Sequence, residues 1–282
     1  MQKRLPLLIF AFFLPLLVFS QDNLLKLWYN KPAGTVWESA LPIGNGRLAA
    51  MVYGNPVDEL IRVNEATVWS GSPNRNDNPD ALAALPEIRK LIFDGKFTEA
   101  SKLAAQNIQS RRNNGMNYQP VGDLKLTFSG HQNFKNFYRE LDLSTATTTT
   151  SYTINGVKYT RVAFVSVPCQ VMVIRLTANK PNSISFTAGM TSPQKSTVST
   201  KLGNTLVLNG ISGNKEGVEG KVKFQSLVQV KVNGGMVTST DTQLDVKQAS
   251  DVTLYISIAT NFISYNNISA DEGKRAEVYL IN

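Results

Sequence analysis

Two short stretches hold the residues best suited to chemistry. One reads Trp37-Glu38-Ser39-Ala40-Leu41-Pro42-Ile43-Gly44-Asn45-Gly46-Arg47-Leu48, the other Asn64-Glu65-Ala66-Thr67-Val68-Trp69-Ser70-Gly71-Ser72-Pro73. A tryptophan offers a flat apolar face with a hydrogen-bond donor at its edge. Asparagine, glutamate and arginine supply directional hydrogen bonds to hydroxyl groups. Together these are the means of a sugar-binding lip, and the candidates are Trp37, Glu38, Asn45, Arg47, Asn64, Glu65 and Trp69. The same residues also suit a buried structural loop in which Glu65 pairs with Arg47 or Arg62. Composition leaves both readings open.

Other chemistry is poorly supplied. Carboxylates such as Glu38, Asp58, Glu59, Glu65, Asp123, Glu140 and Asp142 could act as general acid and base, but no spacing singles out a pair. Asp123 and Asp142 sit beside strand starts and read as turn residues. The chain has one histidine and one cysteine, which excludes an internal disulfide framework and a Cys/His zinc cluster. A nucleophile–histidine enzyme would have to use His131, which lies in a Gly-His-Gln-Asn loop and reads as exposed. Gly44-Asn45-Gly46 precedes a strand-like segment, so it fails the context of a nucleotide loop. No metal or cofactor is expected. The formal charge of +8 is thinly spread, Arg111-Arg112 being its densest pair, and no basic stripe with stacking aromatics points to nucleic acid.

The elements that must position these residues are mostly strands. Arg47–Tyr53 and Val57–Val63 read as strands around a Gly54-Asn55-Pro56 turn, followed by a polar loop over Ser70–Asp77. Over residues 80–109 the period becomes helical. Ala81, Leu82, Leu85, Ile88, Leu91 and Ile92 mark a first helix with Pro86 at a start or kink and Gly95 at its end. Thr98 caps a second helix carrying Ala100, Leu103, Ala104 and Ile108. From Val121 to Thr260 the period is two, most clearly over Val222–Val232 and at Val252, Leu254, Ile256 and Ile258. Tight hairpins are signalled at Asn155-Gly156, Gly203-Asn204 and Asn233-Gly234-Gly235. About twelve or more short strands argue for a mainly β fold. It would be one large antiparallel β-sandwich with an inserted helical hairpin.

Residues 1–21 read as a secretory signal peptide: Lys3 and Arg4, an apolar run from Leu5 to about Phe19, then Ser20 and Gln21. The expectation is an exported protein, periplasmic or secreted, with no membrane association once the signal is removed. Residues 22–265 would be the sandwich and 266–282 the start of a linker helix. Ser269-Ala270-Asp271-Glu272 has the pattern of a capping box. The helix would then end on exposed Val278, Tyr279, Leu280 and Ile281, having lost a packing partner.

Seven motifs carry a family resemblance: Leu27–Pro32, Trp37–Leu48, Asn64–Gly71, Tyr118–Leu124, Tyr138–Leu143, Tyr159-Thr160-Arg161 and Ala259–Phe262. In this order the chain resembles the N-terminal domain of glycoside hydrolase family 95, the exported α-L-fucosidases and some α-L-galactosidases. It departs from the family at Val162, usually Glu, and at Cys169, often Asp. Both read as lying in sandwich strands and as bearing on packing more than on chemistry. The resemblance implies an enzyme with a β-sandwich, linker helices and an (α/α)6 barrel that hydrolyses terminal α-L-fucosyl linkages with inversion. The catalytic acid and the residues that position water would belong to the barrel, so no catalytic residue is expected in this chain. Its partners would be that barrel and, through the full enzyme, fucosylated glycans. The other readings are a free-standing carbohydrate-binding sandwich or a purely structural one.

Overall fold

The period-two segments pair into two antiparallel sheets that face one another in a computed structural model, which describes residues 25–110 and 115–281. Residues 1–21, which read as a signal peptide, and the Arg111-Arg112 pair lie outside the described residues. The larger sheet runs, in spatial order, β1 (Lys26–Tyr29), β6 (Lys135–Asp142), β7 (Thr147–Ile154), β8 (Val157–Val165), β9 (Met172–Ala178), β16 (Asp251–Thr260), β13 (Lys223–Asn233), β12 (Thr205–Ile211) and β11 (Lys195–Lys201). The smaller runs β14 (Met236–Ser239), β15 (Gln243–Ala249), β10 (Ile184–Thr191), β5 (Gly122–Thr127), β4 (Asp58–Glu65), β3 (Leu48–Val52) and β2 (Leu41–Gly44). The fold is thus the expected mainly β sandwich, with 16 strands among the described residues.

Alternation decides what is buried, because successive side chains of a strand point to opposite faces. In β16 the inward residues Val252, Leu254, Ile256 and Ile258 have no exposed surface. In β13, Phe224, Ser226, Val228 and Val230 face the core while Gln225, Gln229 and Lys231 face outward. Leu227 lies on the outward face yet is buried, because α3 (Glu272–Ile281) packs there against Val207, Leu227 and Ala259 through Ala276.

Tight turns follow their glycines. Asn155 and Gly156 both have positive φ, 47° and 75°, and close the β7–β8 hairpin as a two-residue turn of this kind requires. The turn at Asn233-Gly234-Gly235 does not make a hairpin. β13 and β14 belong to different sheets, so this turn carries the chain across the sandwich.

The helical hairpin forms as α1 (Ala81–Phe93) and α2 (Phe97–Asn107). Gly95, at φ 75°, ends α1. Its N–H bonds Ile92 O and that of Lys96 bonds Leu91 O, the paired bonds of a Schellman motif. Pro86 lies inside α1, and Thr98 lies in the first turn of α2 behind an N-cap at Lys96. The apolar stripe does not pack on the sheets. Of its residues only Ile88 and Ala100 are buried, and Leu82, Phe93 and Phe97 are exposed. In α3 the capping role falls to Asp271, whose Oδ1 accepts from Lys274 N at 2.9 Å. Ser269 instead donates to Asn267. Tyr279 and Leu280 are partly buried on the larger sheet, while Val278 and Ile281 stay exposed.

The sheets are joined by charge as well as by apolar packing. Glu59 at the start of β4 and Arg161 in β8 are both buried and meet at 2.8 Å. Arg161 also donates to Asn55 O, Pro56 O and Tyr152 Oη, and lies 4.0 Å from the Phe128 ring centroid. Glu59 accepts from Gly54 N at 2.7 Å. Burial pushes the Glu59 carboxyl up, and the Arg161 charge pulls against that rise.

His131 departs from expectation. Its loop folds back, so the imidazole is buried among Phe128, Tyr152 and Tyr159, with Nδ1 2.9 Å from Tyr152 Oη. Burial, reinforced by the Arg161 charge, lowers its pKa to about 4.

Removing one partner of a buried ion pair leaves the other charge uncompensated. Arg161→Met should therefore lower the unfolding free energy by about 3–5 kcal/mol, read by urea denaturation. A loss below about 1 kcal/mol would show that the pair does not hold the sheets. The depressed pKa of His131 means the unfolded chain binds more protons between its ordinary 6.5 and about 4. Its contribution is fully present above pH 6.5 and is lost as pH falls toward 4. His131→Phe should flatten that limb of the stability profile.

Candidate functional site

One end of the sandwich gathers most of the chemically suited residues. The β2–β3 connection is a tight turn in which Asn45 Oδ1 accepts from Arg47 N at 3.0 Å and Leu48 N at 2.8 Å. Gly46 has φ 90°, a conformation that suits glycine. Asn45 Nδ2 donates to Ser166 O at 3.0 Å, which ties this turn to the β8–β9 connection. Asn45 is therefore committed to shaping the loop.

The turn aims Arg47 across the sandwich. Its Nε donates to Gln170 Oε1 at 2.7 Å, Nη2 to Gln170 O at 3.0 Å and Nη1 to Ile258 O at 2.7 Å. Its guanidinium stands 4.4 Å from the ring centroid of Tyr279 in α3. Glu65, at the end of β4, faces Arg47 Nη1 at 3.6 Å. Of the two alternatives for Glu65, Arg47 and not Arg62 is the partner; Arg62 meets Asp123 at 3.5 Å on the outer face.

Glu65 is 3% exposed and both its oxygens are engaged. Oε1 faces Arg47, while Oε2 accepts from Thr67 N at 2.7 Å and Thr67 Oγ1 at 2.6 Å. Thr67 Oγ1 in turn lies 2.5 Å from Thr260 Oγ1. A carboxylate held this way is not placed to protonate a leaving group. It fixes the loop after β4.

That loop presents aromatics. Trp69 donates from Nε1 to Ala66 O at 2.9 Å and meets Tyr118 edge-on at 5.4 Å. Tyr118 Oη donates to Glu65 O at 3.2 Å. Burial, with the Glu65 charge beside it, raises the phenol pKa. Trp69 and Tyr118 are 44% and 45% exposed, so their faces are available. Beside them opens a cleft of about 300 Å³ lined by Thr67, Trp69, Met116, Phe262 and Tyr265, among others. Arg275 of α3 closes the cluster by donating to Thr260 O and Phe262 O.

Three candidates stand apart. Asn64 projects from the outer face of β4, and its buried Oδ1 has no hydrogen-bond partner. Trp37 and Glu38 are exposed on the 3-10 turn Trp37–Ser39. That turn precedes Leu41, which pairs with Val52, whereas Arg47 follows Gly44, which pairs with Ala49. The four residues of β2 thus lie between them, on the order of 13 Å of strand. Trp37 and Glu38 occupy the opposite end of β2.

Gln170, Tyr118, Thr260, Arg275 and Tyr279 belong to the cluster but were not among the candidates. Tyr118 and Thr260 do fall in the quoted motifs, and Gln170 follows the departure at Cys169. The signal was therefore the recurrence of motifs around one end, which no local spacing reveals. Hydrogen bonding and flat apolar contact are what the cluster offers: a rigid polar frame below, an aromatic lip above.

The family described as glycosyl hydrolase family 65, N-terminal domain, matches residues 27–265. Alpha-L-fucosidase 2 of Arabidopsis thaliana is 33% identical over 264 residues, covering 84% of this chain and 30% of that protein. The Probable alpha-fucosidase A of Aspergillus niger is 29% identical over 163 residues, covering 55% and 20%. Its namesake in Aspergillus oryzae is 27% identical over 161 residues, covering 54% and 21%. The chain spans less than a third of the length of these curated relatives.

Frame and lip should separate on substitution. Glu65→Ala strands the Thr67 donors and part of Arg47, and should cost about 2–3 kcal/mol of stability. Trp69→Ala should cost less than about 1 kcal/mol, as an exposed side chain does. Equal losses in urea denaturation would erase that division.

Proposed function

The chain belongs to the glycosyl hydrolase family 65 N-terminal-domain family, and we propose that it is the N-terminal sandwich of an exported α-L-fucosidase of glycoside hydrolase family 95. The observation that carries this is the 33% identity to Alpha-L-fucosidase 2 along 264 residues. The proposed reaction is the inverting hydrolysis of terminal α-L-fucosyl linkages. A carboxylic acid protonates the leaving oxygen while an activated water attacks the opposite face of the sugar. Those groups belong to an (α/α)6 barrel of the same polypeptide, and the sandwich alone is inert. Residues 1–21 direct export.

The loop cluster is the part of the sandwich suited to such a barrel. Its exposed side chains include Trp69, Tyr118, Ile263 and Tyr265, an apolar patch of the kind that marks an interaction surface. Arg47 and Glu65 underpin that patch by holding the turn and loop in one geometry, so the barrel meets a surface already ordered. Preorganisation of this kind lowers the entropic cost of docking.

The purified chain should release no fucose from a fucosylated oligosaccharide, whereas an enzyme containing the sandwich and the barrel should. Trp69→Ala in that longer enzyme should lower kcat/KM. Release of fucose by the chain alone would overturn the assignment of chemistry to the barrel. An unchanged kcat/KM in Trp69→Ala would remove the lip from the active assembly.

A further inference from the structure

Far from the loop cluster, β1 forms an edge of the larger sheet. Its register places Trp28 opposite Glu140 and Lys26 opposite Asp142 of β6. Trp28 is 62% exposed. Its ring is stacked with that of Tyr138, with centroids 6.3 Å apart and planes inclined by 22°, which steadies the indole while most of it stays open to solvent. Glu140 stands at its border and is held in place. Tyr138 Oη donates to Glu140 Oε2 at 2.6 Å, and Lys26 Nζ donates to Glu140 at 3.1 and 3.2 Å. Asp142 lies 3.6 Å from the same ammonium. Five strand steps separate β1 from β16, the strand under α3, on the order of 24 Å.

We infer that Trp28, Tyr138, Glu140 and Lys26 form a binding platform for a pyranose sugar. An aromatic face is negative and attracts the weakly positive C–H groups on the apolar side of a pyranose ring. The remaining lone pairs of the Glu140 carboxylate accept from sugar hydroxyls, and Lys26 donates to a neighbouring hydroxyl oxygen. Because Tyr138 and Lys26 already fix Glu140, binding orders few side chains. A buried structural tryptophan would have its face covered, and a solvent-facing ion pair serving only the sheet edge would need no aromatic plane beside it. The platform needs no barrel, so it stands or falls independently of the hydrolase assignment.

The test is a titration of the whole chain with the methyl glycosides of L-fucose, D-galactose and D-glucose. Saturation-transfer NMR and tryptophan fluorescence are the readouts. At least one glycoside should bind, with Kd on the order of 1 mM. Trp28→Ala should weaken it at least about tenfold and Glu140→Gln several-fold, while Trp28→Tyr should retain most of it. Phe93→Ala, on the exposed helical hairpin, should leave the affinity unchanged. Far-UV circular dichroism and the melting temperature confirm that each variant is folded. If none of the three glycosides binds the folded wild-type chain, or if Trp28→Ala binds as well as wild type, the platform is overturned. Absence of hydrolysis in a longer enzyme would leave this result unaffected, because the readout is binding to the sandwich.

Discussion

Arg161 on the larger sheet reaches Glu59 on the smaller one, and the surrounding structure is arranged around the need to satisfy both charges away from water. The terminal nitrogens of the guanidinium also donate to Asn55 O, Pro56 O and Tyr152 Oη, while its buried Nε has no partner. The β3–β4 turn must therefore lie against β7 and β8. Isolated charges in a protein interior are costly, so each of these bonds constrains its neighbours. Tyr152, held by Arg161, in turn meets His131, and the loop carrying His131 closes that side of the core. An apolar replacement of the whole pair could be equally stable. Its value lies in register. A one-residue slip of β4 would turn Asp58, Leu60, Arg62 and Asn64 inward, placing Arg62 in the apolar position of Ile61 or Val63.

β4 has the same logic at its other end. Its inward face reads Glu59, Ile61, Val63 and Glu65, two apolar residues between two carboxylates. Each carboxylate is met by an arginine, Glu59 by Arg161 and Glu65 by Arg47. Arg47 also binds Gln170 and Ile258 of the larger sheet and lies over Tyr279. It therefore ties the smaller sheet to the larger sheet and to α3. The aromatic lip stands on this frame. Trp69 and Tyr118 keep exposed faces because Glu65, Thr67 and Thr260 beneath them hold the loop by hydrogen bonds, without burying the rings.

The larger sheet uses its outer face differently along its width. Around β13 and β16 that face is covered by α3, which explains the buried Leu227 on an otherwise polar side of the strand. At the β1 edge it is open and carries Trp28 and Tyr138 beside an anchored carboxylate. The helical hairpin covers neither sheet. Its two helices pack on each other, leaving Leu82, Phe93 and Phe97 exposed. An apolar helical stripe is therefore a statement about one face of a helix, and the tertiary structure alone says whether that face is met.

The class of fold was legible in the sequence because strand periodicity is local. Alternation over Val222–Val232 and Val252–Ile258, and the positive-φ pair Asn155-Gly156, follow from the geometry of a pleated chain whatever it packs against. The motifs of a glycoside hydrolase N-terminal domain were equally legible, being runs of residues in order. Sheet assignment was not. Asn233-Gly234-Gly235 looks the same whether its strands pair or diverge, and only the sandwich sends them to different sheets. Asn45, Arg47, Glu65 and Trp69 converge because β2 and β3 return the chain to the end of β4. Trp37 and Glu38, fewer than ten residues before Asn45, lie at the far end because β2 intervenes. His131 was unreadable for a related reason: a polar loop sequence does not reveal that Arg161, Tyr152 and Phe128 will enclose it. The sequence by itself determined where the chain alternates, turns and caps, since those depend on neighbouring residues. Which charges meet, which aromatics stay open and which loops share an end were decided by the tertiary structure, since each depends on residues from different elements, some of them more than a hundred positions apart, as Arg161 and Glu59 are.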